Sequence, residues 1–252
     1  MIDLRGKTVL VTGGSRGIGA AIVRAVAAAG ASVLLHYAKS RGAAEAIRKE
    51  IGPERCRPIA ADLGEVEAPA ELWQAATAAA PRIDVLINNA GIFEPAPIDA
   101  PSEAWHRVWA RVMRVNLYAP AELCKLAIPH FRVHGGGKII NVASRAARRG
   151  EAPDQWPYGA SKGALVTLTK TIARGYAADN VLAFVIAPGF TETDMGFAGL
   201  DEAGLKRIVG EIPLGSMVRP EECGAIAAFL CSDVVRHMTG ATFDINGASY
   251  VR

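Results

Sequence analysis

Aromatic residues are scarce, at 6% of 252 positions, and only four cysteines occur: Cys56, Cys124, Cys223 and Cys231. They form no CxxC pair and have no histidine at zinc-ligand spacing, so no metal site is expected and buried free thiols are. No apolar run approaches the roughly 18 residues that cross a bilayer. The opening Met1–Lys7 alternates charged with apolar residues and builds no signal-peptide core. Both absences point to a cytoplasmic protein without a membrane partner. There is no basic block either: 28 Lys and Arg stand against 25 Asp and Glu, dispersed along the chain at a net charge of +3, which argues against nucleic acid. Repeats and low-complexity segments are missing, and with them the solenoid and disordered classes. Hydrophobic residues are plentiful, at 50%, enough for a full core in a chain of this length.

The apolar residues come in two alternating patterns. Thr8–Val11, Ser32–His36, Arg57–Ala60, Asp84–Asn88, Lys138–Val142, Val181–Ile186 and Thr242–Ile245 read as strands. Gly17–Ala29, Arg41–Glu50, Glu65–Ala79, Ser102–Arg132, Tyr158–Ala178 and Pro220–Cys231 read as helices. Strands that are apolar throughout, rather than at every second residue, are buried on both faces. The pattern therefore predicts an α/β fold: a doubly wound parallel sheet of about seven strands with helices on both faces. No linker divides it, so residues 1–252 read as one unit. A glycine-rich segment at about 191–218 departs from the alternation and reads either as a cover over a site or as a plain surface loop.

In such a sheet ligands sit beyond the carboxyl ends of the strands. The first strand leads into Thr12-Gly13-Gly14-Ser15-Arg16-Gly17-Ile18-Gly19 and a helix. Glycines let the backbone turn tightly toward a pyrophosphate, and the free N–H groups of a helix start attract the anion. The spacing is not GxGxxG, and alone the motif fits dinucleotide binding or a tight connection equally. An NAD enzyme usually has an acid at the end of its second strand, about 20 residues on. Here the strand ends His36-Tyr37-Ala38-Lys39-Ser40-Arg41, with cations and a hydroxyl in place of the acid. Arg16, Lys39, Ser40 and Arg41 can donate to a 2′-phosphate, which favours NADP(H), unless the cations are merely solvated.

Tyr158-Gly159-Ala160-Ser161-Lys162 puts a phenol and an ammonium one helical turn apart. A phenol with a pKa near 10 is a poor catalyst at neutral pH, and a neighbouring cation favours its phenolate. Ser144 follows a strand, where its hydroxyl could hold a carbonyl or serve only the turn. Asn116 lies inside a long apolar helical stretch, where it marks a break or a held water. Between Ser144 and Tyr158, Arg145, Arg148 and Arg149 could attract an anionic substrate or form a solvated loop. Trp156 could wall the pocket or pack beneath the loop.

Thr12-Gly13-x3-Gly17-x-Gly19, Asp62, Asn88-Asn89-Ala90-Gly91, Asn116, Ser144, Tyr158-x3-Lys162 and Pro188-Gly189-x-Thr191 occur in this order. Together they resemble the short-chain dehydrogenase/reductase family over essentially the whole chain. The resemblance implies a Rossmann-type domain, a nicotinamide cofactor, and hydride transfer between that cofactor and a ketone or secondary alcohol. It implies that Tyr158 is the general acid or base, that Lys162 binds the nicotinamide ribose and lowers the phenol pKa, that Ser144 orients the carbonyl, and that Asn116 anchors a relay water. It also implies cofactor contacts from Gly13, Ser15, Arg16, Gly17, Ile18, Gly19, Tyr37, Asp62, Leu63, Asn89, Ala90, Gly91, Ile186, Pro188, Gly189 and Thr191, with Phe190 beside the substrate.

Within the family the chain is most similar to bacterial 3-oxoacyl-acyl-carrier-protein reductases and related carbonyl reductases. It departs from them where the Tyr/Lys helix ends, at Tyr176-Ala177-Ala178-Asp179-Asn180, without the basic residue that would dock an acidic carrier. Sugar, polyol or cyclic-alcohol dehydrogenases are the alternative. A catalytically silent NADP sensor is another, although such proteins tend to lose the Tyr or Lys retained here. The resemblance further implies a homotetramer or homodimer, through the Trp105–Val115 stripe and the terminal segment Phe243–Arg252.

Overall fold

A computed structural model of the chain describes residues 2–251. Met1 and Arg252, the outermost residues of the opening and terminal segments discussed above, lie outside the described residues. Seven strands form: β1 (Thr8–Val11), β2 (Ser32–Tyr37), β3 (Cys56–Ala60), β4 (Val85–Asn88), β5 (Gly137–Val142), β6 (Val181–Pro188) and β7 (Thr242–Ile245). All pair in parallel, in the order β3-β2-β1-β4-β5-β6-β7. Val, Ile and Leu fill both faces because helices cover both, and in β6 every residue is buried.

Two cores result. On one face α1 (Gly17–Ala28), α2 (Arg41–Ile51) and α10 (Pro220–Cys231) bury Ile22, Val26, Ile47 and Leu230 against Val9, Leu35 and Phe184. On the other, α3 (Ala68–Ala79), α5 (Ala119–Val133) and α7 (Trp156–Tyr176) bury Leu72, Leu123, Phe131 and Ile172 against Leu10, Leu86 and Ile139. All four cysteines are buried and free. The chain winds outward from β1 to β3 and resumes on the other side with β4, so the crevice opens where the carboxyl ends of β1 and β4 part.

The expected helix over 102–132 is two helices, α4 (Ser102–Met113) and α5, separated by a π-turn at Arg114–Tyr118. Pro120 accounts for the break: it has no N–H for the carbonyl of Asn116 four residues back, and its ring crowds that carbonyl. Prolines also set two starts. The helix expected from Glu65 begins at Ala68 with Pro69 in its first turn, and the one expected from Tyr158 begins at Trp156 with Pro157 there. A short α6 (Ala146–Arg149) follows β5. The glycine-rich 191–218 segment carries α8 (Asp194–Phe197) and α9 (Glu202–Gly210) rather than one short helix. A bridge between Thr191 and Val218 closes its base, and Ile208, Ile212 and Met217 give it a small core of its own.

Candidate active site

The glycine loop is built without room for side chains. A Cβ on Gly19 would stand 2.0 Å from the Gly13 carbonyl oxygen, and one on Gly13 would stand 2.9 Å from Ala90 Cα. Gly17 sits at φ 51°, a left-handed conformation that glycine adopts without strain. Asn89 locks the loop to the end of β4: its Nδ2 donates to the carbonyls of Thr12 and Gly13 at 2.9 and 3.2 Å. Thr12 Oγ1 in turn accepts the N–H groups of Asn89 and Ala90. No side chain caps the start of α1. Its first-turn N–H groups face the crevice lip in a cradle that any Cβ would fill, so the residues present fit a dinucleotide pyrophosphate.

His36, absent from the sequence-based site, is part of this scaffold. It is buried at the end of β2, where its Nδ1 accepts the Gly13 N–H at 3.0 Å while Nε2 faces the Ala61 carbonyl at 3.0 Å. The bonding fixes the Nε2–H tautomer. Burial lowers its pKa, and the Ala61 carbonyl and Asp62 charge only partly offset this. Beyond it, Lys39 and Arg41 are exposed and form no ion pair among the described residues, while Arg16 reaches Asp194 of the 191–218 segment at 3.9 Å. The Tyr37 ring and the side chains of Leu63 and Ile186 are buried in the two cores. Asp62 is exposed and accepts the Gly64 N–H.

On the other side of the crevice, α7 brings Tyr158 and Lys162 against the end of β5. Lys162 is 4% exposed and its Nζ donates to the Val142 carbonyl at 2.9 Å. The same nitrogen lies 5.8 Å from the centre of the Tyr158 ring. Burial around the phenol hydroxyl pushes the Tyr158 pKa up to about 12; the Ser144 hydroxyl opposes this and the Glu151 charge adds to it. Burial also brings Lys162 down to about 8. Lys162 thus donates to the Val142 carbonyl while lying beside the Tyr158 ring. Ser144 Oγ accepts the Ala146 N–H at 3.1 Å, which leaves its proton directed elsewhere.

Asn116 holds these parts together. Its Oδ1 accepts the Ile92 N–H at 2.8 Å, and its Nδ2 donates to the Ile92 carbonyl and to Ser161 Oγ. The side chain is therefore fully used as a tie, and Pro120 leaves the Asn116 main-chain carbonyl without its usual helical donor. Gly91 faces both groups: a Cβ there would lie 3.3 Å from Lys162 Nζ and 3.4 Å from Asn116 Oδ1. Pro188 and Gly189 lie across β5, where the Pro188 carbonyl accepts the Arg145 N–H and Gly189 packs on Asn246. Thr191 is buried, with Oγ1 bonded to the Gly189 carbonyl.

A cavity of about 550 Å³ adjoins this cluster, lined by Phe93, Phe190, Met195, Leu200 and Ile208 among others. Phe93, which sequence reasoning missed, meets the Tyr158 ring edge-on at 4.9 Å. Its only sequence signal is its place just after Asn88–Gly91. Trp156 is 49% exposed and does not line the cavity; Phe93 takes the role expected of it. Arg145 is buried beneath Phe190.

A glycine-walled crevice beside a buried Tyr-Lys-Ser group defines a dinucleotide-dependent oxidoreductase of the doubly wound class. The comparisons narrow that class. A family model described as Enoyl-(Acyl carrier protein) reductase matches residues 13–248, and the chain belongs to this family of short-chain dehydrogenases/reductases. Among curated relatives, 3beta-hydroxysteroid dehydrogenase 1 of Eggerthella lenta is 36% identical, over 97% of this chain and 94% of its own. The 3-oxoacyl-[acyl-carrier-protein] reductase of Vibrio cholerae is 34% identical over 99% and 100%, and the cis-4-hydroxycyclohexanecarboxylate dehydrogenase of Sinomonas cyclohexanicum 33% over 96% and 95%. A Beutenbergia cavernae structure described as an NAD(P) dependent gluconate 5-dehydrogenase, with NADP at low occupancy, superposes with a TM-score of 0.90 at 33% identity, covering 98% of each chain. The NADH complex of a Brucella melitensis 3-ketoacyl-(acyl-carrier-protein) reductase gives 0.89 at 28%, covering 99% of this chain and 100% of its own. Among the described residues, no helix is long and apolar enough to cross a membrane.

The His36 tie makes the loop sensitive to pH. Its folded pKa is lowered, so below about 6.5 the unfolded chain binds more protons than the folded one. The contribution is whole above that pH and is lost as pH falls. In urea titrations at about pH 7.5 and pH 5, His36→Asn, which keeps an acceptor but does not titrate, loses less stability on acidification than the wild type. Equal losses would remove His36 from this role.

Proposed function

We propose that the chain is an NADPH-dependent carbonyl reductase that converts a ketone to a secondary alcohol. When bound, the reduced nicotinamide supplies the hydride. The observation that carries the reading is the Tyr158 ring set beside Lys162 and Ser144 at the carboxyl end of β5; the phenol is protonated at neutral pH and can donate. Ser144, its Oγ already accepting from the Ala146 N–H, gives its own proton to the substrate carbonyl and positions it. Tyr158 then protonates the developing alkoxide, and Lys162 and the Asn116 carbonyl return the proton from solvent. Gly13, Ser15, Gly17, Ile18 and Gly19 hold the pyrophosphate. Asn89, Ala90, Gly91, Pro188, Gly189 and Thr191 line the nicotinamide side, with backbone contacts from Tyr37, Asp62 and Leu63.

The preference for NADP(H) rests on Arg16, Lys39, Ser40 and Arg41 at a strand end without an acid. The 191–218 segment acts as the cover: Thr193 packs on Gly17 and Asp194 faces Arg16, so its near edge rests on the glycine loop. The named relatives act on steroids, carrier-bound acyl groups and ring alcohols, so kinship alone leaves the substrate open. An acyl carrier is a poor fit, because Asp179 at the end of α7 already binds Arg132 at 2.6 Å. We place the enzyme in the cytoplasm as a homotetramer, or a homodimer, that uses the α4–α5 face.

Two measurements test this. Tyr158→Phe lowers kcat for NADPH-linked reduction across a ketone panel by about 10³-fold or more while NADPH still binds, as followed by nicotinamide fluorescence. Activity indifferent to that change would defeat the catalytic assignment, and NADPH binding with no turnover of any ketone by the wild type would revive the sensor. Lys39→Ala with Arg41→Ala lowers kcat/KM for NADPH about 10- to 100-fold and leaves that for NADH nearly unchanged; a wild type that prefers NADH would contradict the assignment.

A further inference from the structure

The described residues that line the cavity of about 550 Å³ include Phe93 but neither Tyr158 nor Ser144. The hydroxyls assigned to the reaction therefore lie outside it. Phe93 belongs to both places: its ring is part of the cavity wall, and it meets the Tyr158 ring edge-on, with the centres 4.9 Å apart and the planes at 82°. One aromatic side chain stands where the cavity and the phenol adjoin.

Stability does not account for a ring of this size there. Phe93 is 38% exposed and is not part of either sheet core, so its burial contributes little. Its backbone is nevertheless pinned on both sides. The N–H and C=O of Ile92 both bond to the Asn116 amide, at 2.8 and 2.9 Å. Ala96, between Pro95 and Pro97, donates its N–H to the Asp154 carbonyl at 2.7 Å. The prolines narrow the conformations open to this stretch, so the ring cannot give way by a shift of its loop. Beyond the ring, the cavity has an apolar wall of Met195, Leu200 and Ile208. Two of its charged side chains, Arg149 and Glu211, are paired with each other at 3.0 Å.

We propose that Phe93 is a specificity-determining residue: it partitions the cavity from Tyr158 and so limits the enzyme to compact ketones. The inference rests on the reductase reading and deepens it by assigning the side chain that sets substrate size. A single-ring ketone fits beside the phenol and leaves the cavity unused. A fused-ring ketone meets the Phe93 ring, and packed side chains on a pinned backbone yield to added volume only at a cost. Removing the ring joins the two spaces, and the apolar wall then receives the second ring of the substrate.

The test compares cyclohexanone with 2-decalone, both with NADPH, in the wild type, Phe93→Ala and Trp156→Ala. The wild type is expected to favour cyclohexanone in kcat/KM by about tenfold or more, and Phe93→Ala to move that ratio toward 2-decalone by about tenfold or more. Trp156→Ala, at an exposed residue outside the cavity, leaves the ratio as in the wild type. A second readout needs no turnover: in the NADP+ complex with ring-labelled tyrosine, cyclohexanone moves the Tyr158 carbon signal in both the wild type and Phe93→Ala, and 2-decalone moves it only in Phe93→Ala. A wild type that reduces 2-decalone as well as cyclohexanone, a ratio unmoved by Phe93→Ala, or an equal shift in Trp156→Ala overturns the proposal. If no ketone is reduced by any of the three, the reductase reading fails and the NMR decides the partition alone. It stands if 2-decalone reaches Tyr158 only in Phe93→Ala, and falls otherwise.

Discussion

Desolvation at the junction of β5 and α7 is the constraint on which the site depends. Tyr158 and Lys162 sit where charged forms are disfavoured, so the phenol is held as an acid and the ammonium is brought within reach of neutrality. Burial thus brings the ammonium nearer neutrality but moves the phenol further from it. The packing behind this desolvation comes from elsewhere: α7 lies against β6 and the π-turn, and the Asn116 amide ties that turn to Ile92 and Ser161. Bound oxidised nicotinamide would bring a positive charge near the phenol and favour its ionisation.

The parallel sheet supplies the geometry. The strand order turns back between β1 and β4, so the glycine loop and the Asn88–Gly91 turn face each other across the crevice, and two short bonds from Asn89 fix their spacing. β5 and β6 bring Ser144 and Pro188 to the same edge. The 191–218 segment springs from the end of β6, closes on itself at Thr191 and Val218, and carries its own small core.

Much of this was legible in the sequence. The central strands were readable because burial on both faces writes an unbroken apolar run, as in Val181–Ile186. Gly13, Gly17 and Gly19 could be placed because nothing else fits. The misses share a cause: they depend on contacts between residues far apart in the chain. Periodicity saw one helix where Pro120 makes two, because the apolar stripe continues across the π-turn. His36 read as an ordinary strand residue, since its partners Gly13 and Ala61 lie in other segments. Trp156 read equally as a pocket wall or as packing beneath the loop, and Phe93 was missed, yet the start of α7 leaves the tryptophan exposed. The spacing of Tyr158 and Lys162 is visible in the sequence in the same way, but the Val142 carbonyl that the ammonium meets is not.

The most direct test of the account is the ionisation of Tyr158 itself, followed by carbon NMR of ring-labelled tyrosine with Tyr158→Phe to assign the signal. The account predicts a neutral phenol up to about pH 10 in the free protein, and ionisation at distinctly lower pH once NADP+ is bound. A phenolate already present near neutrality without cofactor, or a titration unmoved by NADP+, would contradict it.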